Sequence, residues 1–495
     1  MSSLLHLPMK WKPTLGLALL TLAALGIHGY HPCAEDAEIY LPGVEKALNP
    51  ALYPTGSQFF ESHAGLSIFS KLIAESIRLT HIPFEYGIFI WQLACIFLFL
   101  VACWQLTGAL FASRPARWCA VSLIAALLTM PVAGTALYIM DQYLNARNVE
   151  AFAAIFAVER VLRRKYVGMA LWLLFETAIH PLMGAFTFSF CLLLLFLRFW
   201  EAKISYRPKT QFALVASTGL FTLHSSPAYH EAARLHGFHY IMNWAWYEWL
   251  GIIAPVFLFL WFERIAKKRE LNNMALVCRA LVIFDLVYFV AALIVSVPKR
   301  FEVLARIQPL RSLHLVYILL LLLGGGLLAE YVLKNRIWRW LLLFLPICAG
   351  MFFAQRSLFP VSSQIEWPWS PPKNPWAQAF LWIRHNTPEN ALFAIDPYYA
   401  RVPGEEIIGF RCLAQRSRLA DIGKDSGPVS MFPPLAEEWF AELQAQKNWK
   451  QFTIEDFARL RHQYGVTWVV LQQPGIAGLT CPFQNSAVRV CSLQP

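Results

Sequence analysis

The chain has 495 residues, of which 57% are hydrophobic, 15% aromatic and only 15% charged, with a mean hydropathy of +0.46. A soluble protein carries about 25% charged residues, so the composition excludes a chain that is solvated throughout. The net charge of +11 does not point to nucleic acid, because from residue 355 onward 13 Lys/Arg face 12 Asp/Glu and the excess lies in the apolar part.

Taken in chain order, the N-terminus reads MKWKP and is followed by an apolar stretch at 14–30 without a small-residue cleavage site. This predicts a retained signal anchor, with Lys10 and Lys12 holding the N-terminus in the cytosol. Further apolar runs predict spans near 86–110, 118–139, 149–162, 166–179, 182–198, 210–224, 247–262, 274–297, 313–333 and 338–354, about eleven in all. Each approaches the ~20 residues that cross a bilayer, or about half of that in a hairpin. Residues 166–198 are too long for one crossing, and His180-Pro181 interrupts them. They read as a helical hairpin with that pair at its tip, one kinked helix being the alternative. With this topology 19 basic residues fall on the cytosolic side and nine on the other. That bias places the C-terminus outside.

Two segments stand out from the bundle. The loop at 31–85 carries seven acids against three bases, and 66–79 has the apolar spacing of an amphipathic surface helix. A Pro/Trp-rich linker over 355–376 leads into 377–495, where helices at 377–386, 435–445 and 454–464 alternate with strands at 391–395 and 467–471. The predicted fold is mostly α: a polytopic membrane helical bundle over 1–354 with a small soluble α/β domain at the C-terminus. Six of the ten cysteines (Cys95, Cys103, Cys119, Cys191, Cys278, Cys348) sit in apolar runs and read as small hydrophobes. A Cys481–Cys491 disulfide across the hairpin CPFQNSAVRVC is left open by spacing alone.

Chemistry concentrates in a few places. Glu35, Asp36 and Glu38 put three carboxylates within four residues just beyond the first span. Such a group can supply a general base, or hold a divalent cation such as Mg or Mn on Asp36 and Glu38; it equally fits a solvated loop. His180, with Glu176 one turn earlier to fix its tautomer, is a catalytic or ligand-orienting candidate. Lys299, Arg300, Arg306 and Arg311 lie outside in this topology, against the positive-inside rule. Arginine reads phosphate through bidentate hydrogen bonds, so Arg300, Arg306 and Arg311 are candidate donor-phosphate ligands. Asp141, Arg147 and Glu150 can complete the same cavity, or form a surface ion cluster. The His224–Glu248 stretch, with His230, His236 and His239 among clustered tryptophans, reads as an interfacial belt or a sugar platform. No Walker loop, GxGxxG turn or GxSxG elbow is present.

Glu35-Asp36-Ala37-Glu38-Ile39-Tyr40, the amphipathic helix at 66–79 and the order of spans over 1–354 resemble the GT-C superfamily of polyprenyl-phosphate-dependent membrane glycosyltransferases. The tail, with NTPENALFAIDP and RCLAQRSRLADIGKDSG, is similar to the C-terminal portions of uncharacterised bacterial members. The resemblance implies a sugar moved from a polyprenyl-phosphate-linked donor to a glycan, lipid or protein acceptor on the periplasmic face of the inner membrane. It implies Asp36 as base or metal-placing acid, with Glu35 and Glu38 able to substitute, and Arg147, Arg300, Arg306 and Arg311 on the donor phosphate. The motif departs from a clean Asp-x-Asp, which leaves both base and metal open. A transporter or flippase of a lipid-linked substrate and a non-catalytic assembly protein are the alternatives; the absence of an internal repeat speaks against the first.

Overall fold

The computed structural model describes residues 11–203, 226–296 and 304–493. The predicted span at 210–224 and Lys299 and Arg300 lie outside the described residues.

The bundle begins with α1 (Trp11–His28), followed by α2 (Ala37–Leu48), α3 (Gln58–Ala64) and α4 (Phe69–Thr80) in the long first loop. It continues through α5 (Phe84–Leu110), α6 (Arg114–Ala126), α7 (Ala146–Leu162), α8 (Tyr166–Ile179), α9 (Pro181–Lys203), α10 (Pro227–Leu235), α11 (Trp246–Lys268), α12 (Asn272–Ser296), α13 (Leu313–Leu328) and α14 (Ile337–Leu358). Among the described residues, six helical stretches are long and apolar enough to cross a membrane: 84–110, 181–200, 246–268, 272–296, 304–333 and 337–358. Two shorter apolar helices, Pro13–His28 and Tyr166–Ile179, accompany them. The membrane character of the chain therefore holds.

The expected span at 118–139 is shorter than the sequence suggests. Helix α6 stops at Ala126, and 127–145 run as buried irregular chain. Buried backbone needs partners, and polar side chains supply them. Asn148 Oδ1 accepts from the Asp141 amide at 3.0 Å, its Nδ2 donates to the Asp141 and Tyr143 carbonyls, and Gln92 donates to the Asp141 carbonyl at 2.8 Å. The Asn145 side chain then caps α7, accepting from the Asn148 amide at 3.0 Å.

The chain breaks at His180, where Pro181 cannot continue the helical hydrogen bonding. Arg198 near the end of α9 donates to the Val161 carbonyl at 2.8 Å, beside the connection from which α8 starts. Helix α9 therefore runs back along α8, and the pair is a hairpin with His180-Pro181 at its tip. At the end of the bundle away from that tip, bases dominate: Arg163 pairs with Glu159, Lys267 and Arg279 with Glu263, and Arg269 with Glu330.

The tail holds α15 (Pro375–Asn386), α16 (Phe410–Ala414), α17 (Ser426–Met431), α18 (Ala436–Ala445) and α19 (Ile454–Tyr464). Its strands are β1 (Leu392–Ile395), β2 (Ser417–Arg418), β3 (Trp468–Gln472), β4 (Thr480–Gln484) and β5 (Val488–Ser492). They form one sheet in the order β2-β1-β3-β5-β4, parallel between β2, β1 and β3 and antiparallel across β3, β5 and β4. Apolar clusters cover both faces, one with Phe380, Phe393 and Phe410, the other with Phe457, Leu460 and Val469. Such double burial explains the unbroken apolar run LFAI of β1. Local signals start and stop the helices: Asn374 caps α15 ahead of Pro375, Thr453 and Asp456 form a capping box on α19, and Gly465 ends α19 at φ +77°.

The tail is stitched to the first loop rather than appended to it. The Glu35 amide donates to the Ile407 carbonyl at 2.9 Å and the Gly409 amide to the Cys33 carbonyl at 2.7 Å. A disulfide joins Cys33 to Cys412, and a second closes the Cys481/Cys491 hairpin. The six remaining cysteines, all in the bundle, are free.

Candidate functional site

Asp36 stands at the N-terminal cap of α2, after Glu35, whose left-handed φ of +53° turns the chain out of its pairing with the tail. A non-glycine residue in that region carries strain of about 1–2 kcal/mol, and such strain gathers where geometry is imposed from outside. Arg147, in the first turn of α7, donates to Asp36 at 3.1 Å and to Asp141 at 2.9 Å. From the tail, the Lys424 ammonium reaches Glu35 at 2.5 Å and Asp36 at 3.3 Å. Burial pushes the Asp36 carboxyl up, but Lys424, Arg147 and Arg311 outweigh it and hold the group well below the usual carboxylate range. Asp36 is therefore ionised, with its side chain still 32% exposed.

Around this carboxylate the fold gathers groups from distant parts of the chain. Tyr40 comes from α2, His63 from α3, His180 from the hairpin tip, His236 and His239 from the turns after α10, and Arg311 from the turn before α13. Arg311 lies close enough to Asp36, Tyr40, His63, His180, His236 and His239 to act on their charge. All seven are half-buried, and their electrostatic influence on one another places them in one cluster. Burial, with help from the nearby arginines, lowers His63 and His236 to about 4 and His180 and His239 further. The imidazoles are neutral at neutral pH.

Arg311 forms no ion pair among the described residues, and its buried Nε has no hydrogen-bond partner. His63 Nδ1 and Gln308 Oε1 are buried without partners as well. Next to Arg311 a small cleft of about 10 Å³ is lined by His239, Gln308 and Thr135.

The sequence-derived candidates separate here. Asp36, Glu35, Arg147, Asp141, His180 and Arg311 converge. Arg306 is half-buried and joins the cluster through no hydrogen bond or ion pair, and Arg300 is outside the described residues. Glu38 faces away from the cavity. It is 1% exposed, accepts from the Arg411 and Cys412 amides at 3.1 Å each, and pairs with Arg418 at 3.2 Å. It anchors the tail and cannot share a cation with Asp36. Nor does Glu176 orient His180: its carboxyl is buried beside Glu150, and the His180 ring accepts from the Met183 amide at 3.5 Å. Among the described residues no group of three His, Cys, Asp or Glu has the arrangement of a metal site. The cation that bridges Glu35 and Asp36 is the ammonium of Lys424.

Lys424, His63, His236 and His239 complete a site that the sequence pointed to only in part. His236 and His239 were visible as part of a histidine-rich stretch, whereas His63 and Lys424 carry no local signal. No family model matches this chain, and no curated protein matches it significantly.

Proposed function

We propose that the chain is a membrane glycosyltransferase that moves a sugar from a polyprenyl-phosphate-linked donor to an acceptor on the periplasmic face. The observation that carries this reading is the ionised Asp36 in one half-buried, histidine-rich cluster with Arg311, which forms no ion pair among the described residues. In the reaction, the donor phosphate sits on Arg311, whose guanidinium offers a planar pair of donors. The acceptor hydroxyl hydrogen-bonds to Asp36. Its oxygen attacks the anomeric carbon from the face opposite the phosphate, the carbon–oxygen bond to phosphate breaks, and polyprenyl phosphate leaves as an anion stabilised by Arg311. The hydroxyl proton passes to Asp36 late in the step. A carboxylate held low by Lys424 and Arg147 is a weak base and accepts a proton only once attack has made it acidic. Neutral His180, His236 and His239 can donate to sugar or phosphate oxygens without adding charge.

About eleven crossings, a cytosolic N-terminus and a periplasmic tail form the topology that goes with this reading. Three features support it. The hairpin at 166–198 keeps the parity of crossings, the basic residues gather at the end opposite Asp36, and all four disulfide-bonded cysteines lie at the Asp36 end, as an oxidising compartment requires. Accessibility reporters at residues 205 and 400 on opposite faces are the expected outcome.

The direct test incubates purified protein with a polyprenyl-phosphate sugar and a membrane acceptor fraction. Turnover that vanishes in Asp36→Ala, with expression intact, is expected; full activity in that variant sinks the assignment. A second reading, transport of a lipid-linked substrate, draws on Glu150 and Glu176, two adjacent carboxyls buried at 1% and 0% exposure in the bundle. Intramembrane acids mark transport paths. Movement of substrate across vesicles without turnover would favour it.

A further inference from the structure

On the other side of the segment that carries Asp36 lies a groove of about 800 Å³, with neither Glu35 nor Asp36 in its lining. That volume falls within the roughly 300–1,000 Å³ of pockets that enclose a small molecule. Its floor is the end of α1 and the start of α5, at Tyr30, Phe84 and Ile88, and its far wall is the linker and α15 of the tail. The Cys33–Cys412 disulfide lines it too. Because α5 is one of the apolar spans, a groove that opens at its first turn opens at the bilayer boundary.

We propose that this groove binds one phospholipid of the surrounding leaflet, with the phosphate at Lys373 and an acyl chain along Phe84, Ile88, Phe359 and Trp367. Charge selects the head. Of the two acids of the lining, Glu85 is ion-paired with Arg384 at 2.7 Å, and Glu366 is hydrogen-bonded to the His31 ring at 3.2 Å. Lys373 lines the groove, is exposed, and has no acidic partner among the described residues. Lys373 is thus the cation of the lining that is free to meet a phosphate diester. Tyr30 contributes a second unmet group, since it is 1% exposed and its hydroxyl has no hydrogen-bond partner. The mouth matches a headgroup layer. Trp369, 59% exposed, stacks on Trp367 at 4.9 Å with Tyr86 beside it, and such aromatics settle at the membrane–water interface.

The site does not depend on sugar transfer, so its test is binding. The full-length protein in vesicles of phosphatidylglycerol bearing a photoactivatable acyl chain is irradiated, and the labelled peptides are mapped. Label in the segments 84–91 and 359–373 is expected. Lys373→Glu, an exposed change that leaves the fold intact, is expected to lower that label at least fivefold. Leu381→Trp, which fills the groove from α15, is expected to abolish it. Label unchanged in Lys373→Glu overturns the phosphate assignment, as does equal labelling by a photoactivatable fatty acid that is also indifferent to Lys373→Glu. Protection by inorganic phosphate alone would mean that the anion, not the lipid, is recognised, and label confined to other helices would remove the site.

Discussion

Two ionic clusters join the first loop to the tail, and they are built on opposite plans. Around Glu38 the acids Asp421 and Asp425 and the bases Arg411 and Arg418 are all at most 2% exposed, and every carboxylate has a guanidinium partner. Around Asp36 the acids Glu35 and Asp36 are about one-third exposed, Lys424 and Arg147 are shared between acids, and Arg311 forms no ion pair among the described residues. The first cluster is closed and every carboxylate in it is matched, which is how buried charges survive, although the Arg411 Nε has no partner among the described residues. The second leaves hydrogen-bonding capacity unspent, which costs stability unless something else binds there. One is a clamp and the other is a receptor, although their central carboxylates are two residues apart.

The contrast is sharpest where the clamp is broken. Arg418→Met removes one arm and strands Glu38 and Asp421, and a lost partner in a buried ion network costs about 3–5 kcal/mol. A large fall in the thermal unfolding midpoint in detergent, with the tail becoming sensitive to protease, is expected; an unchanged midpoint would mean the cluster is not a clamp. Asp36→Asn should act mainly on turnover. It lowers the melting temperature less than Arg418→Met, because Arg147 keeps Asp141 and Lys424 keeps Glu35, but lowers sugar transfer by roughly 10²–10⁴, the usual worth of a positioned base. Next comes Arg311→Ala, which loses hydrogen bonds to a charged group worth about 1.5–3 kcal/mol. A rise in KM for the donor of ten- to a hundredfold, with the fold intact, would register it. If kcat falls instead while KM holds, Arg311 acts on the leaving group rather than on binding.

Smaller effects follow pH. Burial pushes Glu45 up to about 8 from an ordinary 4.5, so the folded chain keeps a proton that the unfolded chain releases. Its stability contribution is full below about 4.5 and is lost as pH rises toward 8. Glu45→Gln should remove that slope, seen as a melting difference from wild type that changes between pH 5 and 8. The cavity histidines tilt the other way. His63 and His236 fall from 6.5 to about 4, so the unfolded chain takes up protons first and stability declines as pH drops through that window. Bound phosphate should flatten this second slope, because an anion favours the protonated imidazoles. Melts at pH 4.5 to 6.5 with and without a polyprenyl-phosphate donor would show it.

The apolar spans and the hairpin at His180 were legible because both are set by local sequence, a run of hydrophobic residues and a proline that breaks it. The truncation of α6 was not, because 127–140 stay apolar while their backbone leaves the helix. The trace it left is the pair Asn145 and Asn148, whose side chains now hold backbone groups there. The acid motif was found but its members could not be told apart. Asp36 and Glu38 are two residues apart at a helix start, about 200° around the axis, so one faces the cavity when the other faces the tail. Only the tail's position decides which, and Arg411, Arg418 and Lys424 lie more than 370 residues away. Cys33 and Cys412 gave a fainter hint, since both fall outside the apolar runs that hold the six free cysteines.

The bond between those two sulfurs spans 379 residues and thereby sets an order of assembly. Asp36 is made before the intervening helices and Lys424, its partner, after them. Through the insertion of the intervening helices the carboxylate stands without the roof that fixes it, and the disulfide can form only after the bundle is complete. A chain that stops short of the tail therefore carries membrane helices with half a site.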